Sequence, residues 1–406
     1  MSPIRFKEAR ESAQRTTVIY EKPYYPEINV DPKDTSSIIS TALALLYPED
    51  DDNDNNDDSR NVLRTQKLEL QQRLKVKVVT GGITNALFCI TGFLPYEEFD
   101  SVLVRIFGAE GMIDRDVETS TFACLAECGI APNYLGRFGN GRIEGWLDHY
   151  FPLSLADLQS QDTGEAIAVQ MAKLHFGFCV PSELREWHNE EEPGLWTQLF
   201  SWMEQAQKIE SYKTAGDEER AAKSLDLPGV AVELNWLKNE VIPKDSTVAF
   251  CHNDALAGNI MKHEHTKTIQ LIDFEYGGAN YIAFDIANHL NEYAGGTSVE
   301  ENGVPNYQLL PSQERQTGFI TAYVRAARLA AGKTGETKQL SEEEEIESLL
   351  KEVQGFILAN HLYWGLWAVN QASVEGTNEF DYMNYAINRF AQYLVVKKEF
   401  VHIEIN

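Results

Sequence analysis

Two short polar segments hold residue types that phosphoryl transfer needs. His252-Asn253-Asp254-Ala255-Leu256-Ala257-Gly258-Asn259 follows the β-prone run TVAFC, and Ile272-Asp273-Phe274-Glu275-Tyr276 ends a second such run, TIQLI. Two strand ends are therefore expected to deliver Asp254, Asn259 and Asp273 to one place. A carboxylate can orient or deprotonate an attacking hydroxyl, while an amide oxygen and a second carboxylate hold Mg²⁺ against phosphates. Each residue alone reads as a turn former or cap. The ordered set reads as a phosphotransfer centre.

Further candidates lie on both sides of this set. Thr80-Gly81-Gly82-Ile83-Thr84-Asn85 sits between two strand-like runs. Its glycines would let backbone amides approach phosphates, with Thr84 and Asn85 adding side-chain hydrogen bonds. It matches no standard phosphate-loop consensus. Arg105 lies inside the apolar run VLVRIFG, and burying a guanidinium there demands a partner. The following helix offers Glu118, and the alternative reading of the pair is a structural salt bridge. Far downstream, Trp364 and Trp367 are three apart and share a helix face. Such a pair belongs to a core when seen alone. Beside a phosphotransfer centre it also suits an ammonium-bearing acceptor, because aromatic faces attract ammonium by about 0.5–2 kcal/mol each.

The elements that must position these residues divide at about Pro152. Residues 1–73 form an N-terminal extension, with a helix over Ser36–Tyr47 and an acidic run, Glu49–Asp58, expected to be an exposed loop. Residues 74–150 read as an antiparallel sheet carrying one helix, DRDVETSTFACLAEC, with Val117, Phe122, Leu125 and Cys128 on its apolar face. Gly139-Asn140-Gly141 predicts a tight hairpin between NYLGRF and RIEGWL. Residues 151–406 read as mainly helical, with candidates at Thr163–Phe178, Leu195–Gln207 and Val230–Val241 and a β-rich island over Thr247–Ile272. This gives an α+β class, with a small β lobe before a large helical lobe. A ligand-binding cleft between them is the expectation.

His-x-Asp-x-x-x-x-Asn followed by Ile-Asp-Phe-Glu-Tyr resembles the choline/ethanolamine kinase family of protein-kinase-like phosphotransferases, over about Thr80–Tyr393. The resemblance implies a two-lobed kinase fold, ATP, Mg²⁺ and a small-molecule amino-alcohol substrate. By motif match it implies Asp254 as catalytic base and Asn259 and Asp273 as metal ligands. It gives Gly82, Thr84, Asn85, Arg105 and Glu118 to the nucleotide, and the main chain of Glu144–Leu147 to adenine. Tyr276, Glu292, Trp364, Trp367, Phe380 and Tyr385 match positions that form or border the acceptor pocket. Asp285 and Asn288 would brace the catalytic loop, although both could equally cap a helix beginning near Phe284. His252 would prop that loop, and His175 reads as a packed core histidine. The segments Gly-Gly-Ile-Thr-Asn, Asp114-Arg115-Asp116 and Asn288–Gly295 resemble the ethanolamine branch more, and Tyr293 stands where the choline branch usually has tryptophan. The implied activity is phosphorylation of ethanolamine to phosphoethanolamine, the first step of the CDP-ethanolamine route to phosphatidylethanolamine. A choline or dual kinase and a catalytically silent nucleotide-binding protein are the alternatives.

Composition narrows the partners. The 406 residues carry 62 Asp+Glu against 35 Lys+Arg, a net charge of −27, which on average repels nucleic acid and anionic lipid. The five cysteines are odd in number and sparse, so buried reduced thiols are expected rather than a disulfide framework or a zinc site. No stretch reads as a membrane span or an N-terminal leader. A cytoplasmic enzyme fits, and a homodimer is compatible with the sequence.

Overall fold

The computed structural model describes residues 22–48, 67–79, 85–93, 99–108, 114–298, 300–330, 340–377 and 380–405. The acidic run and most of the Gly-Gly loop, including Gly82 and Thr84, lie outside them. In chain order the first half forms β1 (Tyr24–Tyr25), α1 (Thr35–Leu46), β2 (Lys75–Val79), β3 (Asn85–Thr91), β4 (Ser101–Phe107), α2 (Arg115–Glu127), β5 (Tyr134–Phe138), β6 (Gly141–Gly145), β7 (Tyr150–Pro152), α3 (Leu155–Leu158), α4 (Gln161–Gly177) and α5 (Gly194–Gln207). The second half continues with α6 (Asp217–Ser224), α7 (Leu227–Trp236), β8 (Val248–Cys251), β9 (Ile260–His263), β10 (Ile269–Leu271), β11 (Gly278–Tyr281), α8 (Ile282–Asn291), α9 (Gln313–Ala330), α10 (Glu342–Val374) and α11 (Tyr382–Ile405). The chain folds into two compact units. The first takes residues up to Phe151 with Val180–Trp187 and Lys262–Glu275, and the second takes Pro152–Cys179, His188–Met261 and Tyr276 onward.

In the first unit a six-stranded sheet runs in the order β1-β5-β6-β4-β3-β2. It is antiparallel except for the parallel pair β1–β5. Period-two alternation sends Phe88, Ile90, Val102, Val104, Ile106 and Ile143 into one core, closed by Ile38, Ala42 and Leu45 of α1. The N-terminal extension thus belongs to this core through α1. The cap of α1 is Asp34, just ahead of the expected start, whose side chain accepts from the amides of Ser36 and Ser37. The expected hairpin is present, with Gly139-Asn140 between Phe138 and Gly141. Gly141 is required by close approach, since a Cβ there would stand 2.3 Å from the Arg105 carbonyl.

Asp114 caps α2, accepting from Asp116 and Val117 amides, and the acidic first turn suits the positive end of the helix dipole. Val117, Phe122 and Leu125 are buried as expected. Cys128 is not: it is the C-cap, where the chain leaves the helix, and it is exposed, as is Cys179. The other three cysteines are buried and free.

In the second unit α10 packs against α8, α9 and α11, and α4 against α9. Ser341 and Glu344 form a capping box at the start of α10. The first turns of α10 are acidic and largely exposed, and from Val353 onward it is almost continuously buried, which makes it the central helix. The two-stranded ladder β8–β11 sets Cys251 opposite Gly278, so the chain leaving β8 and the chain entering β11 emerge side by side. The stretch read as one helix over Val230–Val241 changes to a π turn at Leu237–Val241 after α7. Among the described residues no helix is long and apolar enough to cross a membrane.

Candidate active site

The sheet of the first unit assembles a buried charge cluster. Alternation places Arg142 and Glu144 on one face of β6, and strand register sets Arg105 of β4 opposite Arg142. Glu144 accepts from Arg105 Nε and Arg142 Nε, both at 2.8 Å, on the same carboxylate oxygen. Arg142 Nη1 donates to both oxygens of Glu118 on α2, at 2.6 and 2.7 Å. Arg105 Nη1 donates to Asp273 Oδ1 at 3.1 Å. Burial alone would raise the Glu144 carboxyl, but the two guanidinium groups hold it below its ordinary value. Burial likewise opposes the charge on Arg105, and Glu144 and Asp273 keep it protonated.

This corrects the expected pairing of Arg105 with Glu118. The two hydrogen bonds to the Glu118 carboxylate described above come from Arg142, whose guanidinium also lies 4.1 Å over the Phe122 ring of the same helix. Glu118 acts on Arg105 through its charge. Arg142 was visible as a strand arginine two residues before a glutamate, the spacing that puts both on one face, but sequence reasoning gave it no role.

Asn85, the part of the Gly-Gly loop among the described residues, donates to Glu275 Oε2 at 3.4 Å, and Arg115 Nη1 reaches the same atom at 3.2 Å. Glu144 lies inside the ladder opposite Leu103 and Tyr134. Gly145 N–H donates to Asn133 at 2.8 Å, and the carbonyl of the half-buried Leu147 accepts from Tyr150 at 3.3 Å.

In the second unit the chain after β8 forms a tight loop. Asn253 has a φ of +63°, in the left-handed region that a non-glycine residue rarely adopts, and Asp273 of the first unit has +64°. Asp285, on α8, accepts from the amides of His252 at 2.9 Å and Asn253 at 2.7 Å, and so pins the strained turn. His175 Nε2 lies 2.9 Å from the same carboxylate, and its Nδ1 2.7 Å from Tyr323 Oη. Burial alone would raise the Asp285 carboxyl, but His175 and the loop amide of His252 hold it low. Asp285 therefore braces the loop from inside a helix that starts at Ile282, and is not its cap.

His252 also props the loop, with Nδ1 accepting from the Asp254 amide at 3.3 Å. His289 adds a support that sequence reasoning missed. Its Nδ1 donates to the Ala255 carbonyl at 2.8 Å, and burial pushes its pKa down to about 4, so it stays neutral. The half-buried Asp254 and Asn259 meet directly: Asn259 Nδ2 donates to the Asp254 carbonyl at 2.9 Å and to its Oδ2 at 3.0 Å. That commits the Asn259 amide nitrogen and leaves its oxygen as the atom suited to a cation.

Around this loop stands a wall of rings. Asn253 Nδ2 holds the Tyr276 carbonyl at 3.0 Å. The Tyr276 ring meets Trp364 edge-on at 5.8 Å, Trp364 meets Trp367 at 5.4 Å, and Phe380 meets Tyr385 at 5.9 Å. Tyr382, not anticipated, links the two groups by touching both Trp367 and Phe380. Asn288 does not brace the loop as expected. It accepts from Trp364 Nε1 at 2.6 Å and Asn360 Nδ2 at 2.7 Å, so it orients the indole.

Glu292 is 4% exposed and 3.6 Å from Arg389 Nη1. Burial pushes its pKa up to about 7, against the pull of Arg389. Arg389, four residues after Tyr385 on α11, also donates to the Tyr385 hydroxyl at 3.1 Å, a neighbour spacing that sequence reasoning did not use. Burial pushes up the hydroxyls of Tyr363 and Tyr385, and the negative charge of Asp254 adds to the rise in both. Asp254 therefore lies within electrostatic reach of the ring wall.

The family model described as choline/ethanolamine kinase matches residues 76–394. The chain is 34% identical over 356 residues to probable choline kinase 1 of Arabidopsis thaliana, covering 84% of this chain and 94% of that protein. It is also 34% identical over 342 residues to ethanolamine kinase 1 of Homo sapiens, covering 82% and 70%. A solved ethanolamine kinase of Plasmodium vivax superposes with a TM-score of 0.67 at 22% identity, covering 91% of this chain and 98% of that one. The fold is that of the protein-kinase-like phosphotransferases, with a β-sheet N-terminal part and a helical C-terminal part. Family match, identity and fold agree with the loop and charge cluster described above: the chain belongs to the choline/ethanolamine kinase family.

Proposed function

We propose that the protein transfers the γ-phosphoryl group of ATP to the hydroxyl of an amino alcohol, with ethanolamine preferred over choline. The observation that carries this reading is the company of Asp254. Its carboxylate is held by Asn259 on a braced loop, and its charge reaches Tyr363, which packs edge-on against Trp364, and Tyr385, which shares Arg389 with the buried Glu292. A base beside an aromatic, acid-bearing pocket suits an acceptor that carries both a hydroxyl and an ammonium.

In this reading Asp254 orients the acceptor hydroxyl and takes its proton. The acceptor oxygen bonds to the γ-phosphorus, the bond from that phosphorus to the bridging oxygen breaks, and ADP leaves. Asn259 and Asp273 offer only oxygen atoms, the donor set a hard cation prefers, so they are the residues that would hold Mg²⁺. When bound, Mg²⁺ neutralises charge on the phosphates. Arg105, kept charged by Glu144 and Asp273, serves the nucleotide phosphates. Glu118 acts behind Arg142 to fix the cluster, with Gly82, Thr84 and Asn85 covering the nucleotide and the segment through Leu147 reading adenine.

On the acceptor side Tyr276, Trp364, Trp367, Phe380 and Tyr385 supply ring surface, and Glu292 supplies the counter-charge. A primary ammonium has three N–H donors and gains from a carboxylate acceptor, whereas a quaternary ammonium has none and relies on ring faces alone. Glu292 among the rings therefore favours ethanolamine. Tyr293 packs edge-on against His289 at 5.4 Å with Arg315 over its ring, so its bearing on the choice is indirect. The test is turnover measured side by side with ethanolamine, its mono- and dimethyl derivatives and choline. The expected order is a kcat/KM that falls with each added methyl group. A rise toward choline would reverse the preference and leave the transferase reading intact.

A further inference from the structure

Away from the loop and the ring wall, the β9–β10 turn gathers imidazoles in the first unit. His263 and His265 flank Glu264 at that turn, and His149, just ahead of β7, faces them. Ring centroids lie 5.6 Å apart for His149 and His265 and 6.1 Å apart for His149 and His263. Glu264 Oε2 is 4.0 Å from His149 Nδ1 and 3.8 Å from His265 Nε2. One donor atom from each of His149, Glu264 and His265 lies within 4.8 Å of the other two. The backbone holds the two segments together, with the Glu264 amide donating to the His149 carbonyl at 2.8 Å. Tyr150 Oη and Thr268 Oγ1 meet at 3.1 Å beside them. His263 Nδ1 is engaged otherwise: it accepts from the amides of His265 and Thr266, both at 3.1 Å, and so builds the turn.

We infer that His149, Glu264 and His265 form a binding site for a divalent transition metal of the zinc type. Two imidazoles and one carboxylate are ligands for zinc, cobalt or nickel, whereas Mg²⁺ takes oxygen donors. Tetrahedral ligands at about 2.0–2.2 Å from zinc stand about 3.4 Å apart. The two spacings to Glu264 exceed this by about 0.4–0.6 Å and the third by at most about 1.4 Å, which exposed side chains cover by rotating about their own bonds. The chain's net charge of −27 favours cations on average. The consequence is mechanical. The β9–β10 hairpin is the stretch of chain that leads from Asn259 to Asp273, and His149 follows the segment after β6. A metal bound here would tie that hairpin to that segment.

The probe is Co²⁺ alone, titrated into the full chain with Mg²⁺ in excess. The expected result is one equivalent of Co²⁺ bound with the visible absorption of a four- or five-coordinate nitrogen-containing site, and a rise in Tm. His149→Ala and His265→Ala should each weaken this binding by about 10-fold or more, while Asp273→Ala leaves it unchanged. Both histidines are exposed, so these variants should fold normally. Co²⁺ binding that survives both histidine substitutions, or that is lost with Asp273→Ala, would overturn the site. So would no binding in the presence of Mg²⁺.

Discussion

Glu144 and Glu292 are both buried glutamates facing arginine, yet their carboxyls move in opposite directions. Glu144, in the first unit, takes two guanidinium hydrogen bonds of 2.8 Å and is held below its ordinary value. Glu292, in the second, has Arg389 at 3.6 Å and is pushed up to about 7. Burial disfavours the charged form in both, so the number and closeness of partners decide the outcome. The first arrangement makes a fixed, ionised scaffold, which under the proposed function serves the nucleotide phosphates. The second leaves a carboxyl whose charge depends on what approaches it, which under the proposed function is the acceptor ammonium.

The largest expected effect comes from the loop beside the ring wall. Asp254→Ala should lower kcat by about 10²–10⁴-fold while leaving ATP affinity unchanged in an equilibrium binding assay, since general-base catalysis contributes about that much. Near wild-type kcat would remove Asp254 from its role. Next in size, Arg142→Met leaves Glu118 and Glu144 short of a partner and should destabilise the protein by about 3–5 kcal/mol in urea unfolding. Glu292→Gln should change stability by about 1 kcal/mol or less in the same experiment, because that carboxyl is already half neutral near pH 7. Equal losses in the two variants would erase the contrast between the two glutamates.

Smaller effects belong to recognition. Trp367→Leu should raise KM for the amino alcohol by about 2–30-fold, the equivalent of about 0.5–2 kcal/mol, with KM for ATP unchanged. The smallest is a pH effect. The pKa of Glu292 is raised to about 7, and its ionised form attracts ammonium, so that attraction is lost as pH falls through 7. Between about pH 8 and about pH 6, KM for ethanolamine should rise by up to about 10-fold in wild type and stay flat in Glu292→Gln. A flat wild-type profile would place the counter-charge elsewhere.

Much of this was legible in the sequence because it rests on short-range patterns. Alternating strand runs and the Gly-Asn-Gly punctuation gave the antiparallel sheet and its hairpin, and the Asp254, Asn259 and Asp273 spacing marked the loops that carry left-handed Asn253 and Asp273. The choice of ion partners was not legible. Glu118 bonds Arg142, and Asn288 holds Trp364, because strand register and helix packing choose among several suitable partners. Arg389 and Tyr382 were missed for a related reason. Arg389 looks like a surface cation on α11 until α10 packs over it, and Tyr382 gains meaning only from rings far away in sequence.

The most direct test of phosphoryl transfer to an amino alcohol is ³¹P NMR of the wild-type protein with ATP, Mg²⁺ and ethanolamine. The account predicts O-phosphoethanolamine and ADP in equal amounts, with neither accumulating in Asp254→Ala. ADP accompanied only by inorganic phosphate, or the absence of turnover with both ethanolamine and choline, would contradict it.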